Sequence, residues 1–205
     1  MRHLIIIGLT TFLLSCSIDD NERDKQTNNE LYAIINEIVK SGFSHVSVIQ
    51  IETMNVYKDY KPKNINSIPE PPPPDFIYFS REKLAAFKIR GLIDSIDVNY
   101  MYEHIDSAKI YHLDSSKIIR PLISDKEKLL IFKSNIHAGY QYLKDKYGSS
   151  CFMNVSSPLF NKDFTKAIIC IDYCCGPLNG QGLIIVLHKK YNKWIIIDKF
   201  GTWVS

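Results

Sequence analysis

Apolar residues recur at two different periods along this chain, and the change of period divides it. Leu31, Ile34, Ile35, Ile38 and Val39 fall at helical spacing, with Glu30, Asn36, Glu37 and Lys40 on the other side, which predicts an amphipathic helix of about three turns. Asn28 or Asn29 can cap its start, and Gly42 stops it. From Ser44 to Thr53 the period falls to two, with Val46, Val48 and Gln50 on one face, the pattern of a strand. Tyr57 to Asp75 breaks the pattern. Pro62, Pro69 and Pro71 to Pro74 remove backbone donors and fix φ, so residues 62–75 read as an extended, polyproline-like spacer.

Helical spacing returns at Arg81–Arg90, with Ser80 as cap and Gly91 as stop. Asp94 and Asp97 read as caps around a short turn, with a second helix starting at Asp97 and carrying Val98, Met101, Tyr102 and Ile105. Lys109–Leu113 suits a short strand. Arg120-Pro121 interrupts the apolar run Ile118–Ile123, which suits irregular or edge structure. Ser124 stands three residues before Glu127 at the head of Ser124–Phe132, a capping-box spacing. His137–Tyr147 is another short helix, closed by Gly148.

The densest pattern lies in Cys151–Ser205, where four apolar runs are separated by turn residues, the signature of an antiparallel meander. Leu183–Leu187 is continuously apolar and is expected to be buried on both faces. Trp203 is expected to plug the core. There is no internal repeat. Helices and strands are segregated, so the expected class is α+β, with N-terminal and central helices packed on a C-terminal antiparallel β-meander over residues 151–205.

The first residues read differently. Met1-Arg2-His3 is a short positive segment, and Leu4–Leu14 is an apolar run of signal-peptide length. It ends at Leu13-Leu14-Ser15-Cys16, which resembles a bacterial lipobox. The resemblance implies cleavage before Cys16 and lipidation at its sulfur, with the membrane as partner through that anchor. Residues 1–15 are then a lipoprotein signal peptide, 16–29 a flexible acidic tether, and 30–205 a single α+β domain. The run Ser17-Ile18-Asp19-Asp20-Asn21-Glu22 resembles the surface-export signal of Bacteroidetes lipoproteins, and it equally suits a solvated tether that leaves the domain facing the periplasm. The expected location is the bacterial cell envelope, at the outer membrane. Composition adds little: 45% hydrophobic and 23% charged residues are ordinary for a folded domain. The net charge of +3, which drops to +2 without Arg2, gives no basis for nucleic-acid binding.

Four of the five cysteines lie in the meander. If Asn161–Phe164 closes a four-residue hairpin loop, Phe160 faces Thr165 and, counting outward, Cys151 faces Cys174. That places a disulfide between Cys151 and Cys174, a bond that an exported location favours. Other chemistry is weak. Cys170, Cys174, Cys175 and His188 offer zinc-ligand types, but adjacent residues in a strand point to opposite faces. Cys174 or Cys175 with His112, His137 or His188, and the Gly176–Gly182 loop as oxyanion site, is the constellation a cysteine-dependent hydrolase needs. Asp94, Asp97, Glu103 and Asp106 read as caps and solvated helix faces. Asp172 is set in an apolar strand, facing either a cavity beneath the sheet or solvent. No phosphate loop occurs. No catalytic residue, metal site or cofactor is expected.

Three blocks, Ser156–Ala167, Cys175–Gly182 and Lys193–Ser205 (S-x-P-x-F-N-x-D-x-T-K-A, C-G-x-L-x-G-x-G, and K-W through W-x-S), resemble an uncharacterised family of exported Bacteroidetes proteins. The family carries no assigned activity. It has a second cysteine where this chain has Asn179, so the resemblance implies that Cys175 pairs elsewhere, with Cys151 or Cys174. The order of elements also resembles cystatin-like and NTF2-like folds, an analogy of fold alone. The expected function is a non-catalytic binding or structural module. The alternatives are a cysteine-dependent hydrolase using the 174–182 loop and an inhibitor- or immunity-type domain that binds another protein. A binding module is expected to expose an apolar or proline-rich surface, for instance near Pro69–Pro74.

Overall fold

The β-branched run of the third meander strand sets the architecture. A strand points alternate side chains to opposite faces. In this computed structural model Leu183, Ile185 and Leu187 lie in one buried cluster, and Ile184 and Val186 in another. A sheet loaded on both faces needs a cover on each, and helices supply both. The structure describes residues 3–58, 77–133 and 135–205, with side chains from residue 22 onward. The proline-rich stretch 62–75 and the side chain of Cys16 lie outside the described residues.

The elements are α1 (His3–Gly42), β1 (Val48–Gln50), β2 (Tyr57–Lys58), β3 (Tyr78–Phe79), α2 (Arg81–Ile89), α3 (Ser95–His104), β4 (Leu122–Ile123), α4 (Asp125–Phe132), α5 (Ile136–Tyr147), β5 (Phe152–Val155), β6 (Leu159–Phe160), β7 (Lys166–Gly176), β8 (Asn179–Lys190) and β9 (Lys193–Val204). The main sheet runs β4-β1-β5-β7-β8-β9, with β6 also on β7. Strands β5, β7, β8 and β9 are antiparallel, whereas β1 is parallel to both β4 and β5. The class is α+β, as the segregated pattern predicts. The β8–β9 hairpin turns on Tyr191 and Asn192, both at positive φ (50° and 59°), the backbone of a two-residue primed turn.

The stripe Leu31, Ile34, Ile35, Ile38 and Val39 of α1 is buried against Ile169, Ile171, Ile185 and Leu187. Glu30 fixes the helix to the sheet, accepting from Lys189 Nζ at 2.5 Å and Trp194 Nε1 at 2.7 Å. On the other face Leu84 and Phe87 of α2 and Val98 and Met101 of α3 meet Ile168, Cys170, Ile184 and Val186. A smaller cluster joins Leu143 of α5 to Val48 and Ile123. The caps read from sequence form: Ser80 accepts from Lys83 N–H, and Ser124 from Glu127 N–H.

Several expectations need correction. The segment 16–29, expected as a flexible tether, lies within α1, which runs through it without a break. Between Ser15 and Ser41 there is no Gly or Pro to stop a helix. Its described part is docked. Arg23 donates to Lys162 O at 3.2 Å and its guanidinium lies 4.4 Å from the Phe164 ring centre, while Asp24 pairs with Lys109. Asp94 and Asp97 cap one helix, not two ends of a turn: Asp94 is the N-cap of α3 and Asp97 bonds back to Asp94 N–H at 3.1 Å. Lys109–Leu113 contributes one isolated bridge, Glu52 to His112, in place of a strand. No described helix is long and apolar enough to cross a membrane.

Candidate functional site

The cysteines come first, because two readings depended on them. Phe152 is in register with Cys174, so Cys151 falls opposite Cys175. These two form the disulfide, with Cα atoms 4.0 Å apart. The expected Cys151–Cys174 pair is therefore off by one residue. Two local departures combine. The turn is wider than four residues, so Phe160 meets Ala167, not Thr165, a shift of two. Ser157-Pro158 then leaves the ladder between β5 and β6, with Ser157 N–H donating to Met54 O at 3.0 Å, and this takes back one residue. Cys174 points to the opposite face with an unbonded thiol.

A cysteine nucleophile does not assemble among the described residues. Cys175 is spent in the disulfide. Burial pushes the Cys174 thiol up, and the nearby Asp172 carboxylate adds to the shift. Burial pushes Cys170 up to about 12. Both effects disfavour the thiolate that attack requires. His188 sits at Lys166 in the register, while Cys174 sits at Gly180. Eight residues of strand, about 26 Å, separate them. His188 Nε2 instead lies 2.6 Å from Leu92 O, and His112 faces Glu52 at 3.7 Å. His137 occupies the first turn of α5. The same placements scatter the Cys170, Cys174, Cys175 and His188 set.

The glycine loop has a packing explanation. A Cβ on Gly182 would overlap the Trp203 indole, and one on Gly180 would lie 3.0 Å from it. None of Gly176, Gly180 and Gly182 has positive φ, so room for the ring is what these positions need, an aromatic covering cross-strand glycines. The Gly180 N–H is committed to the ladder with Ser205, which removes it as an oxyanion donor. Trp203 is half-buried over these glycines, a plug at the sheet edge. Asp94 and Asp97 are also structural. Both accept from Lys166 Nζ, at 3.1 and 2.5 Å, and Asp97 accepts from Asn161 Nδ2 at 3.0 Å. The Asp97 N–H and the Lys166 ammonium hold the Asp94 carboxyl below its usual range.

The remaining candidate, Asp172, lies in a buried polar cluster beneath α4 and α5, beside an apolar groove. Strands β1, β5 and β7 present Gln50, Asn154 and Asp172 toward α4 and α5. Asn154 Nδ2 donates to Asp172 Oδ1 at 2.5 Å. Burial pushes the Asp172 carboxyl up, partly offset by the Asn154 bond and the Lys128 charge. Lys128 of α4 closes this polar cluster, donating to Gln50 Oε1 at 3.0 Å and pairing with Asp125 at 3.1 Å. Gln50 Nε2 is buried without a hydrogen-bond partner in the protein, as is Asn154 Oδ1.

Beyond Lys128 lies an open groove of about 850 Å³. Its walls are Leu129, Leu130, Phe132, Ile136, Tyr140 and Phe152, and its rim carries Lys126, Lys128 and Lys133. Gly139 shapes it: a side chain there would strike the Phe132 ring, so glycine lets α4 lie close on α5. Phe132 and Tyr140 then meet edge to face at 5.0 Å. Leu129 and Leu130 remain 71% and 64% exposed, a free-energy cost that a bound apolar group relieves. Among the described residues, no acidic side chain lines the groove. The helix ends in the run Leu129-Leu130-Ile131-Phe132. A run of four apolar residues has no preferred helical face, so nothing in it marks two of them as outward.

Asp172 supplies a test of its burial. A carboxyl whose folded pKa exceeds its unfolded value binds protons more tightly in the folded state. Stability is then highest below the unfolded value and falls as pH rises through the folded one. Asp172→Asn is expected to raise stability at neutral pH and to remove that fall. Denaturant melts of both proteins across the acid-to-neutral range check this, and a variant less stable than wild type at neutral pH contradicts it.

Scans against protein-family models, curated proteins and solved structures find no match for this chain.

Proposed function

We propose that this protein is a non-catalytic binding module of the bacterial cell envelope, lipid-anchored at Cys16, whose ligand is an anionic amphiphile held in the α4–α5 groove. One observation carries the ligand class. An apolar groove with exposed leucines carries the Lys126, Lys128 and Lys133 ammonium groups on its rim. These groups donate, and the rim is cationic. An acyl-type chain fits the walls, and a carboxylate or similar head fits the donors. The anchor and the envelope location rest on the lipobox, and membership of the exported Bacteroidetes family rests on the three C-terminal blocks. The family that those blocks resemble has no assigned activity to transfer. A hydrolase reading lacks an activated thiol.

The test is a calorimetric titration of the full-length Cys16→Ser protein with dodecanoate and with dodecanol. Dodecanoate is expected to bind more tightly. Leu130→Asp should weaken both ligands by at least about tenfold, or 1.4 kcal/mol. Lys128→Gln should weaken dodecanoate and leave dodecanol nearly unchanged. Equal effects of Lys128→Gln on both ligands contradict the assigned polar end.

A further inference from the structure

We propose that Cys151, Cys175 and His45 form a redox-gated site for a zinc-class cation, closed while the disulfide stands and open when it is reduced. The site is independent of the groove. The two Sγ atoms and an imidazole nitrogen all lie within 4.8 Å of one another. Zinc bonds thiolate sulfur at about 2.3 Å, so two thiolates on one tetrahedral ion stand roughly 3.8 Å apart. Cross-strand cysteines with Cα atoms 4.0 Å apart reach that separation by side-chain rotation. His45 is exposed, which gives the ion an entry path, and water completes the fourth position.

The three ligands are held by bonds that do not depend on the disulfide. Ser47 N–H donates to Cys151 O at 3.0 Å, and Ser150 Oγ donates to Cys175 O at 2.8 Å. Ser149 Oγ donates to His45 O at 2.8 Å. The Tyr173 ring packs edge-on against the imidazole at 5.2 Å. Reduction therefore leaves a pre-organised dithiol beside a histidine. A dithiol reductant supplies two electrons and two protons and leaves as its own disulfide, while the Cys151–Cys175 bond becomes two thiols. The cation then displaces both thiol protons to solvent, so two thiolates balance its double positive charge.

Cadmium serves as probe, because thiolate-to-cadmium charge transfer reports the bond formed. Full-length Cys16→Ser Cys174→Ser protein is reduced, freed of reductant without oxygen, and titrated with Cd2+. The expected result is a charge-transfer band that saturates at one equivalent, with Cys151 and Cys175 protected from alkylation, and no band for the oxidised protein. His45→Ala leaves the disulfide intact and should weaken cadmium by more than about tenfold, since loss of even an outer-shell partner costs that much. Equal uptake by the oxidised protein, an unchanged affinity in His45→Ala, or a reduced chain that binds no cadmium or loses its fold overturns the proposal.

Discussion

Cys151→Ser is expected to destabilise the protein by about 3 kcal/mol, and Cys174→Ser by less than about 1 kcal/mol. The disulfide spans a sequence separation of 24, and closing a loop of that size removes on the order of 3 kcal/mol of chain entropy from the unfolded state. For a chain of this length that is a fall in melting temperature of roughly 6–12 °C. Cys174 crosses to the other face, where Phe152 is its cross-strand partner, so its replacement leaves the bond intact. Thermal melts of the two variants without reductant check both values. Intact mass after alkylation should show Cys151 and Cys175 unmodified until reduction. Equal losses in both variants, or a protected Cys174, contradict the observed register.

Ile185→Ala is expected to cost roughly 2–5 kcal/mol, the range for a buried aliphatic side chain cut back to a cavity. Ile185 is fully buried in a strand flanked by β7 and β9, and it faces α1. Ile195 of β9 is 41% exposed, and Ile195→Ala should change stability by no more than about 0.5 kcal/mol. The contrast tests whether the apolar run of β8 is a central strand covered by helices. Urea unfolding of both variants supplies it, and similar costs at the two positions contradict the two-sided core.

What the sequence made legible was local or periodic. Ser80 and Ser124 are caps because the bonds they accept come from residues three positions on. The α1 stripe and the two-sided β8 run follow from the periods of helix and strand. What it hid depends on contacts between distant segments. The pairing of Cys151 turns on the wider turn that sets Phe160 opposite Ala167 together with Ser157 leaving the ladder for Met54, about a hundred residues earlier in the chain, and one residue of slip moves a side chain to the other face. The helical run through 22–29 is held by Arg23 and Asp24 reaching Phe164 and Lys109, neither of which its own composition implies. Asp172 was singled out as a polar residue in an apolar strand facing either a cavity or solvent, but its partners Asn154 and Lys128 come from other elements. The groove itself needs α4 to lie on Gly139 of α5, and His45 meets Cys151 and Cys175 with no spacing in the sequence to suggest it.

The most direct test of the groove as a binding site is a backbone amide NMR titration of the full-length Cys16→Ser protein with dodecanoate. The binding account predicts saturable shifts concentrated on Lys126–Lys133, Ile136–Tyr140, Gln50 and Phe152, with the Arg81–His104 helices unmoved. Shifts spread over the whole surface, or centred on any other region, would contradict it.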